Sequence, residues 1–400
     1  MEESCKKTCQ PLQRGHQMKI LLGVPEYPPY HIGGGGEVFK NLALNYRKLG
    51  CDVVVIYGYY PTTSWWESIK EYQDENGIKF YQVPEIPSPN SMPYFKTAMP
   101  PNLNAIFKLR KIIMNEMPDI VHLHGYGLIF INILANITRA LKIKYIFTIH
   151  GYPEKLNRMN FLTKLMWMLY IKLIMNKTLM LAEKITCVSD YIRNDNRNIH
   201  KDKSVTIQNG LNFEEYRNIE KKIDIRKKHN INKDTIIFLS VGRISEMKGF
   251  QEIIKLIPAF SRNGIKIKYL IIGRDDGYRK RLEILSKQLN VDKYVEFIGF
   301  VDSELKKQYI KECDIFAVPS LWEPFGLVAL EGMISDKVIL TTDMGGLKEV
   351  LDGYEKKVYL YDNNLIDHIK MNIRNEMKSK IDFNKFDWSN ISKNYLSLFS

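Results

Sequence analysis

Apolar strand-like runs alternate with helix-like stretches almost from Met18 onward, and this alternation constrains the fold more than any other feature of the chain. The first unit runs from MKILLGV through a glycine-rich loop and a helical stretch over about Glu37 to Leu49 into CDVVVIYGY. Strands that alternate with helices form parallel sheets covered by helices. The pattern therefore predicts an α/β protein with doubly wound sheets.

The alternation starts again after the turn signal Gln208-Asn209-Gly210 and a charged stretch that ends near Asp234. We therefore predict two Rossmann-like domains, N-terminal over 18–205 and C-terminal over 206–380. A last helix over 381–400 is expected to pack back on the N-terminal domain, and 1–17 form a polar tail. Ligands bind at the carboxyl ends of parallel strands, so two such domains facing each other across a cleft would hold one ligand from both sides.

The charge of the chain points to an anionic partner. The 400 residues contain 58 Lys and Arg against 45 Asp and Glu, a formal net charge of +13. Such a surplus suits a nucleotide, a phosphorylated substrate, a nucleic acid or an acidic membrane face. We expect no nucleic acid, because no basic block with interleaved aromatic residues or known nucleic-acid module is present.

Cysteine usage and hydropathy indicate the compartment. The five cysteines are scattered, which favours a reducing compartment and a cytoplasmic protein. Cys5 and Cys9 supply two ligands, too few for a zinc site, and no metal is expected. The polar tail lacks the apolar stretch of a secretory signal, and no apolar run approaches the roughly 20 residues of a spanning helix.

A run of four glycines, Gly33 to Gly36, follows the first strand and precedes a helix. Glycines let the backbone approach a ligand closely, and a helix amino terminus favours an anion. The spacing matches neither a Walker A loop nor a strict G-x-G-x-x-G. A flexible turn is the alternative.

Two cations follow the first strand of the second half, in the sequence VGRISEMKG. Arg243 offers a planar fork and Lys248 a point charge, and together they suit a diphosphate. A single Arg at a strand end is usually solvated, so the pair carries the prediction.

The segment SLWEPFGLVALE places Glu323 in a loop and Glu331 inside the helix that follows. If the helix begins near Phe325, the amides of 326–328 can receive phosphate oxygens. Carboxylates accept hydroxyl hydrogens well, so sugar hydroxyls are expected at Glu323 and ribose hydroxyls at Glu331. As acids near a helix start, either could instead be structural.

The segment EPFGLVALEGM resembles the E-x7-E motif of the retaining, nucleotide-sugar-dependent glycosyltransferases of family four, which have the GT-B fold. Further segments follow in the order of that family: GGGGE, DIVHLHG, FTIHG, VSDYI, QNGLNFEEY, VGRISEMKG, TTDMGGLKEV and the closing FDWSNISKNYL. The resemblance covers nearly the whole chain from Met18. It departs at DGYEKKVYLYDN, which lacks the usual glycine-rich continuation.

The resemblance implies a retaining, metal-independent hexosyltransferase that uses a UDP- or GDP-sugar as donor and no cofactor. The acceptor would be a hydroxyl of a glycan or of a lipid-linked molecule. Arg243 and Lys248 would neutralise the donor diphosphate, while Glu323 would hold the transferred sugar and Glu331 the ribose. Backbone amides would add phosphate and sugar contacts at Gly34, Gly35, Phe325, Gly326 and Leu327.

Two histidines at strand ends also match motif positions of the family. The resemblance makes His124 the active-site histidine beside the donor sugar and His150 a second motif histidine. We expect His122 on the opposite face of its strand, in a structural role.

Other functions stay open at this point. A catalytically silent, glycosyltransferase-like binding subunit is one alternative, and a sugar-phosphate phosphorylase or nucleotide-sugar epimerase is another. The basic, aromatic-bearing segment from Glu154 to Lys184 would suit a protein that lies peripherally on an anionic membrane and presents a lipid-linked acceptor. An ordinary helix that faces the core is the competing interpretation of that segment.

Overall fold

The computed structural model describes residues 17–29, 34–59, 68–86, 101–152, 161–195, 197, 200–217, 219–374 and 381–399. The chain divides into two compact units, Met1–Thr186 with Leu398–Ser400, and Cys187–Ser397. Two sheets, each built mainly from parallel strands, organise the described residues. The α/β class predicted from the sequence is confirmed.

Among the described residues, the first sheet has eight strands: β1 (Lys19–Val24), β2 (Asp52–Tyr59), β3 (Lys70–Gln73), β4 (Lys79–Pro84), β5 (Ile120–His124), β6 (Lys144–Ile149), β7 (Lys184–Cys187) and β8 (Ser204–Thr206). Their spatial order is β3-β4-β2-β1-β5-β6-β7-β8. Strand β1 pairs in parallel with β2 on one side and β5 on the other, whereas β3 is antiparallel to β4. The strand order therefore reverses between β1 and β5, where open α/β sheets bind ligands.

Helices connect these strands: α1 (Gly35–Lys48), α2 (Leu103–Glu116), α3 (Ile129–Ala140), α4 (Phe161–Tyr170), α5 (Asn176–Leu181) and α6 (Asp190–Arg193). A π-helical turn, Ile171–Met175, joins α4 to α5. Helix α2 begins where it does because the Asn102 side chain accepts a hydrogen bond from the Ala105 amide at 2.8 Å. It ends at Met117, which adopts a left-handed conformation.

The second sheet contains β9 (Ile236–Val241), β10 (Ile267–Ile272), β11 (Val295–Gly299), β12 (Ile315–Val318), β13 (Val338–Thr341) and β14 (Lys357–Tyr359). The order is β11-β10-β9-β12-β13-β14, with every pair parallel. The strand order reverses between β9 and β12, so the loops after these strands meet at one edge.

The remaining helices are α7 (Glu214–Arg217), α8 (Ile225–Lys228), α9 (Phe250–Arg262), α10 (Arg279–Gln288), α11 (Ser303–Glu312), α12 (Leu327–Ile334), α13 (Leu347–Val350), α14 (Leu365–Arg374) and α15 (Trp388–Leu396). Helix α9 buries Ile253, Ile254 and Ile257 in a core shared with β10 and β12. Full burial of such a side chain contributes about 1.5–3 kcal/mol. Among the described residues, no helix is long and apolar enough to span a bilayer.

Candidate active site

The loop after β9 carries both predicted cations. Arg243 follows the strand directly, keeps 49% of its side chain exposed and pairs with Asp276 at 3.4 Å. Lys248 ends a 3₁₀ turn, and Gly249 after it adopts φ +69°. A Cβ at Gly249 would lie 1.7 Å from the carbonyl oxygen of Pro319. Glycine therefore lets this loop pack on the chain that leaves β12.

Lys248 and Glu323 form an ion pair across this edge of the second sheet. The Lys248 Nζ donates to Glu323 Oε2 at 2.6 Å, and the Ser320 hydroxyl donates to the same oxygen at 3.3 Å. The Glu323 backbone is also fixed, because its carbonyl accepts from the Gly346 amide at 2.8 Å. The structure thus brings together a cation and a carboxylate that are 75 residues apart in the sequence.

Helix α12 begins at Leu327, two residues later than the expected start at Phe325. Gly326 is its N-cap with φ +105°, and its carbonyl accepts from the Leu330 amide, the first intrahelical bond. The amides of Leu327, Val328 and Ala329 are therefore the ones that precede the helical ladder. Phe325 lies outside the helix and is a core residue, 3% exposed.

Glu331 is held inside the second unit with one oxygen in use. Its Oε1 accepts from the Tyr216 hydroxyl at 2.9 Å and from the Lys306 ammonium at 2.7 Å. Its Oε2 is buried and has no hydrogen-bond partner among the described residues. Such an oxygen can accept a ligand hydroxyl. Sequence reasoning did not assign Tyr216 or Lys306, although Tyr216 closes the segment QNGLNFEEY.

An open cavity of about 400 Å³ adjoins the Glu323 loop. Its lining includes Asp190, Tyr191, Gly345 and Glu349. The Glu349 carboxylate accepts from the amides of Asp190 at 2.8 Å and Tyr191 at 2.6 Å, which fixes this wall. A Cβ on Gly345 would lie 2.3 Å from the Glu323 carbonyl oxygen. The wall of the cavity at Gly345 therefore packs directly against the backbone of Glu323, whose side chain forms the ion pair.

In the first unit, the glycine run meets the amino terminus of α1. Gly34 is the N-cap, and its carbonyl accepts from the Val38 amide at 3.3 Å. Gly35 opens the helix two residues before the expected start at Glu37. Gly33 lies outside the described residues, as do Cys5 and Cys9. Within the described part of the chain, no group of three or more His, Cys, Asp or Glu side chains is placed to hold a metal ion.

His124 and His150, at the ends of β5 and β6, form a hydrogen-bonded pair. His124 Nδ1 and His150 Nε2 are 2.9 Å apart, and the Phe39 ring packs on both. Burial holds the pKa of His124 well below 6.5, with His122 and His150 adding to the effect, and burial lowers the pKa of His150 to about 4. Both rings are therefore neutral at pH 7. His124 Nε2 is buried without a partner in the described chain and remains able to form one hydrogen bond.

The prediction that His122 lies on the opposite face from His124 is wrong. Residues two apart on a strand share a face, and the two ring centroids are 4.0 Å apart. His122 bonds through Nδ1 to the Tyr46 hydroxyl at 3.1 Å and through Nε2 to the Thr148 hydroxyl at 2.7 Å. These two hydrogen bonds fix the His122 ring against the ring of His124, which agrees with the structural role expected of His122.

Two family models match the chain in succession. Residues 32–215 match the model described as Glycosyltransferase Family 4, and residues 221–387 match Glycosyl transferases group 1. An uncharacterized glycosyltransferase of Methanocaldococcus jannaschii is 28% identical over 96% of this chain and 98% of its own length. The GPI3 subunit of the phosphatidylinositol N-acetylglucosaminyltransferase of Saccharomyces cerevisiae is 22% identical over 94% of this chain and 80% of its own.

Solved structures of other proteins superpose on nearly the whole of this chain. Sucrose-phosphate synthase of Thermosynechococcus elongatus superposes with a TM-score of 0.72 at 18% identity, covering 96% of this chain and 98% of that one. Anabaena HepE in complex with UDP gives 0.66 at 17% identity, covering 95% and 98%. With its two Rossmann-like units the protein has the GT-B fold and is a glycosyltransferase. It belongs to the glycosyltransferases of the family-four type, as the sequence resemblance predicted.

Proposed function

We propose that this glycosyltransferase moves a sugar, with retention of configuration, from a UDP- or GDP-sugar to a hydroxyl of a glycan or lipid-linked acceptor. The Lys248–Glu323 ion pair carries the proposal. It puts a cation for phosphate beside a carboxylate for sugar hydroxyls. The HepE complex with UDP, a protein of the same fold, supports a nucleotide donor.

The second unit offers a partner for each part of such a donor. Arg243 and Lys248 suit the diphosphate, as do the amides that open α12. Glu323 suits the hydroxyls of the transferred sugar. The unpartnered Oε2 of Glu331 suits a ribose hydroxyl. The backbone of Phe325, Gly326 and Leu327 would complete the phosphate and sugar contacts.

The first unit supplies neutral groups for the sugar and the acceptor. Gly34 and Gly35 lie at the amino terminus of α1. Because glycine has no side chain, a ligand can approach their backbone amides closely. His124 presents one unused ring nitrogen, and His150 holds the ring in place. A neutral imidazole can hydrogen-bond a sugar hydroxyl without placing a positive charge beside it.

The reaction would be a displacement on one face of the sugar. The bond from the anomeric carbon to the diphosphate oxygen breaks, and the bond to the acceptor oxygen forms on the same face. The leaving diphosphate takes the acceptor proton, so charges balance without a metal. Arg243, Lys248 and the α12 amino terminus would stabilise the charge on the leaving group, at about 3–4 kcal/mol for each well-placed donor.

The test is a panel of UDP-, GDP- and ADP-sugars with soluble and lipid-linked acceptors. We expect one donor to release its nucleoside diphosphate only when an acceptor is present, and NMR to show the donor's anomeric configuration in the product. Release without acceptor, an inverted product, or no thermal shift with any nucleotide sugar would contradict the proposal.

A catalytically silent subunit is the second candidate function, since one relative is named as a subunit of a larger transferase. A silent subunit would bind a nucleotide sugar and form no product with any acceptor. Single-turnover assays at enzyme excess separate the two candidates, because a slow enzyme still yields product there.

A further inference from the structure

The segment from α4 to α5 exposes most of its apolar side chains. Trp167, Met175 and Leu179 face inward and are buried. The outward side chains are large and at least 40% exposed: Phe161, Leu165, Met166, Met168, Leu169, Leu173, Ile174, Met180 and Leu181. An ordinary helix buries its apolar stripe against a core, so the core-facing interpretation does not account for this surface.

Helix α2 repeats the feature elsewhere in the same unit. Leu103, Phe107, Arg110 and Met114 follow at spacings of four, three and four, which aligns them on one side of the helix. The three apolar members are 74%, 78% and 51% exposed. Ala105, Leu109 and Ile113 are the buried side. This stripe therefore points to solvent while another one packs on the core.

The two exposed surfaces belong to one helical layer. Helix α2 contacts α3, and α3 contacts α5. We call the exposed side of α2 and of the α4–α5 segment the docking face. Its charges have one sign: Lys108, Arg110, Lys111, Lys164, Lys172 and Lys177. Positions 161–182 contain no acid, and the acid of α2, Glu116, is buried and bonded to Lys79 at 2.6 Å.

We propose that the docking face binds the surface of an anionic lipid bilayer. Apolar side chains flanked by lysines enter the boundary between headgroups and acyl chains while the ammonium groups stay among the phosphates. The absence of acids on the described part of the face favours lipid, because an acidic membrane complements cations along its whole area. The inference rests on the proposed function only in that the membrane would present the lipid-linked acceptor.

The test is co-sedimentation of the full chain with vesicles of phosphatidylcholine alone and with about a third of phosphatidylglycerol. The charge variant carries Lys164→Glu, Lys172→Glu and Lys177→Glu. Its matched control carries Lys233→Glu, Lys280→Glu and Lys287→Glu, which are exposed lysines of the second unit and give the same change in net charge. A third variant, Phe107→Ser with Met166→Ser, removes apolar tips from both helices.

We expect the wild type and the matched control to bind anionic vesicles. The charge variant should bind about tenfold more weakly or worse, and the serine variant should also weaken. Binding to neutral vesicles as strong as to anionic ones, equal loss in the matched control, or a stable dimer in solution that covers the face would overturn the proposal. Thermal shifts with the donor nucleotide keep the two proposals apart, because the variants should retain them.

Discussion

At the scale of single residues, Lys248 and Glu323 depend on each other. They are largely buried, with 22% and 12% of their side chains exposed, and their charged atoms are 2.6 Å apart. Removing one member of a buried pair leaves the other charge without compensation. Each substitution therefore has an effect on the fold as well as on the reaction, and the two must be measured separately.

We predict that Lys248→Ala lowers turnover by about 10² or more, because a cation on the leaving diphosphate is lost. Arg243→Ala should do the same with less effect on stability, since Arg243 is half exposed. The measurement is kcat for nucleotide release, with urea unfolding alongside. Lys255→Ala, which removes an exposed lysine of α9, is the control. Wild-type turnover in both active-site variants would remove this assignment.

The buried histidines predict a pH-dependent stability. Burial lowers the pKa of His122 and His124 well below 6.5 and that of His150 to about 4. Below pH 6.5 the unfolded chain binds protons that the folded chain does not. Their contribution to stability is therefore complete above about pH 6.5 and is lost as the pH falls toward 4.

We accordingly expect the wild type to unfold at a lower urea concentration at pH 5.5 than at pH 7.5. His150→Gln cannot titrate at this position and should show a smaller fall. Far-UV circular dichroism at pH 7.5 checks that the variant is folded. An equal fall in both proteins would show that the acid sensitivity has another origin.

At the scale of elements, glycine positions decide how closely loops approach. Gly249 has φ +69°, and a Cβ there would meet the Pro319 carbonyl at 1.7 Å. Gly264 has nearly the same φ, +71°, but open space around it. The two positions share the backbone strain of a non-glycine residue and differ in the clash.

We predict that Gly264→Ala costs about 1 kcal/mol from strain alone and that Gly249→Ala costs clearly more. Gly249→Ala should also weaken nucleotide binding, because the loop that carries Lys248 must shift. Urea unfolding and a nucleotide titration of both variants measure this. Equal destabilisation would show that the loop adjusts without cost.

Sequence reasoning located most elements because buried parallel strands are continuous apolar runs, as in β1 and β9. It missed β3, whose four residues are all exposed, and β4, whose sequence KFYQVP mixes polar and apolar residues although the strand is mostly buried. The start of α12 depends on the left-handed Gly326, which the sequence does not reveal. The stripe of Leu103, Phe107 and Met114 lies on α2, a helix that the sequence analysis did not identify. Even where periodicity reveals a helix with an apolar side, it does not show whether another part of the molecule covers that side.

At the scale of the whole molecule, the chain comprises two units. The second unit contains all of the second sheet, and the first unit contains the first sheet except for β8 and Cys187, the last residue of β7. The donor contacts that we propose for phosphate, Arg243, Lys248 and the amino terminus of α12, all lie in the second unit. A nucleotide should therefore stabilise the full chain through this unit even without an acceptor.

We predict that the nucleoside diphosphate of the true donor, at about 100 times its Kd, stabilises the full chain by about 2.7 kcal/mol. The monophosphate at the same concentration should give a smaller shift, since it lacks the second phosphate. Differential scanning fluorimetry of the wild type and of Lys248→Ala measures both. Equal shifts with the two nucleotides would argue against a diphosphate site.

The close approach at Gly273 limits which sequences can carry this protein. A Cβ there would lie 1.7 Å from the carbonyl oxygen of Gly242, so two backbones touch where β9 and β10 end. In a library randomised at Gly264, Gly273 and Gly353 and selected only for folding, position 273 should return glycine alone. Positions 264 and 353, with open space around them, should return asparagine and aspartate as well. During neutral evolution, substitutions should therefore accumulate at Gly264 and Gly353 long before any is tolerated at Gly273.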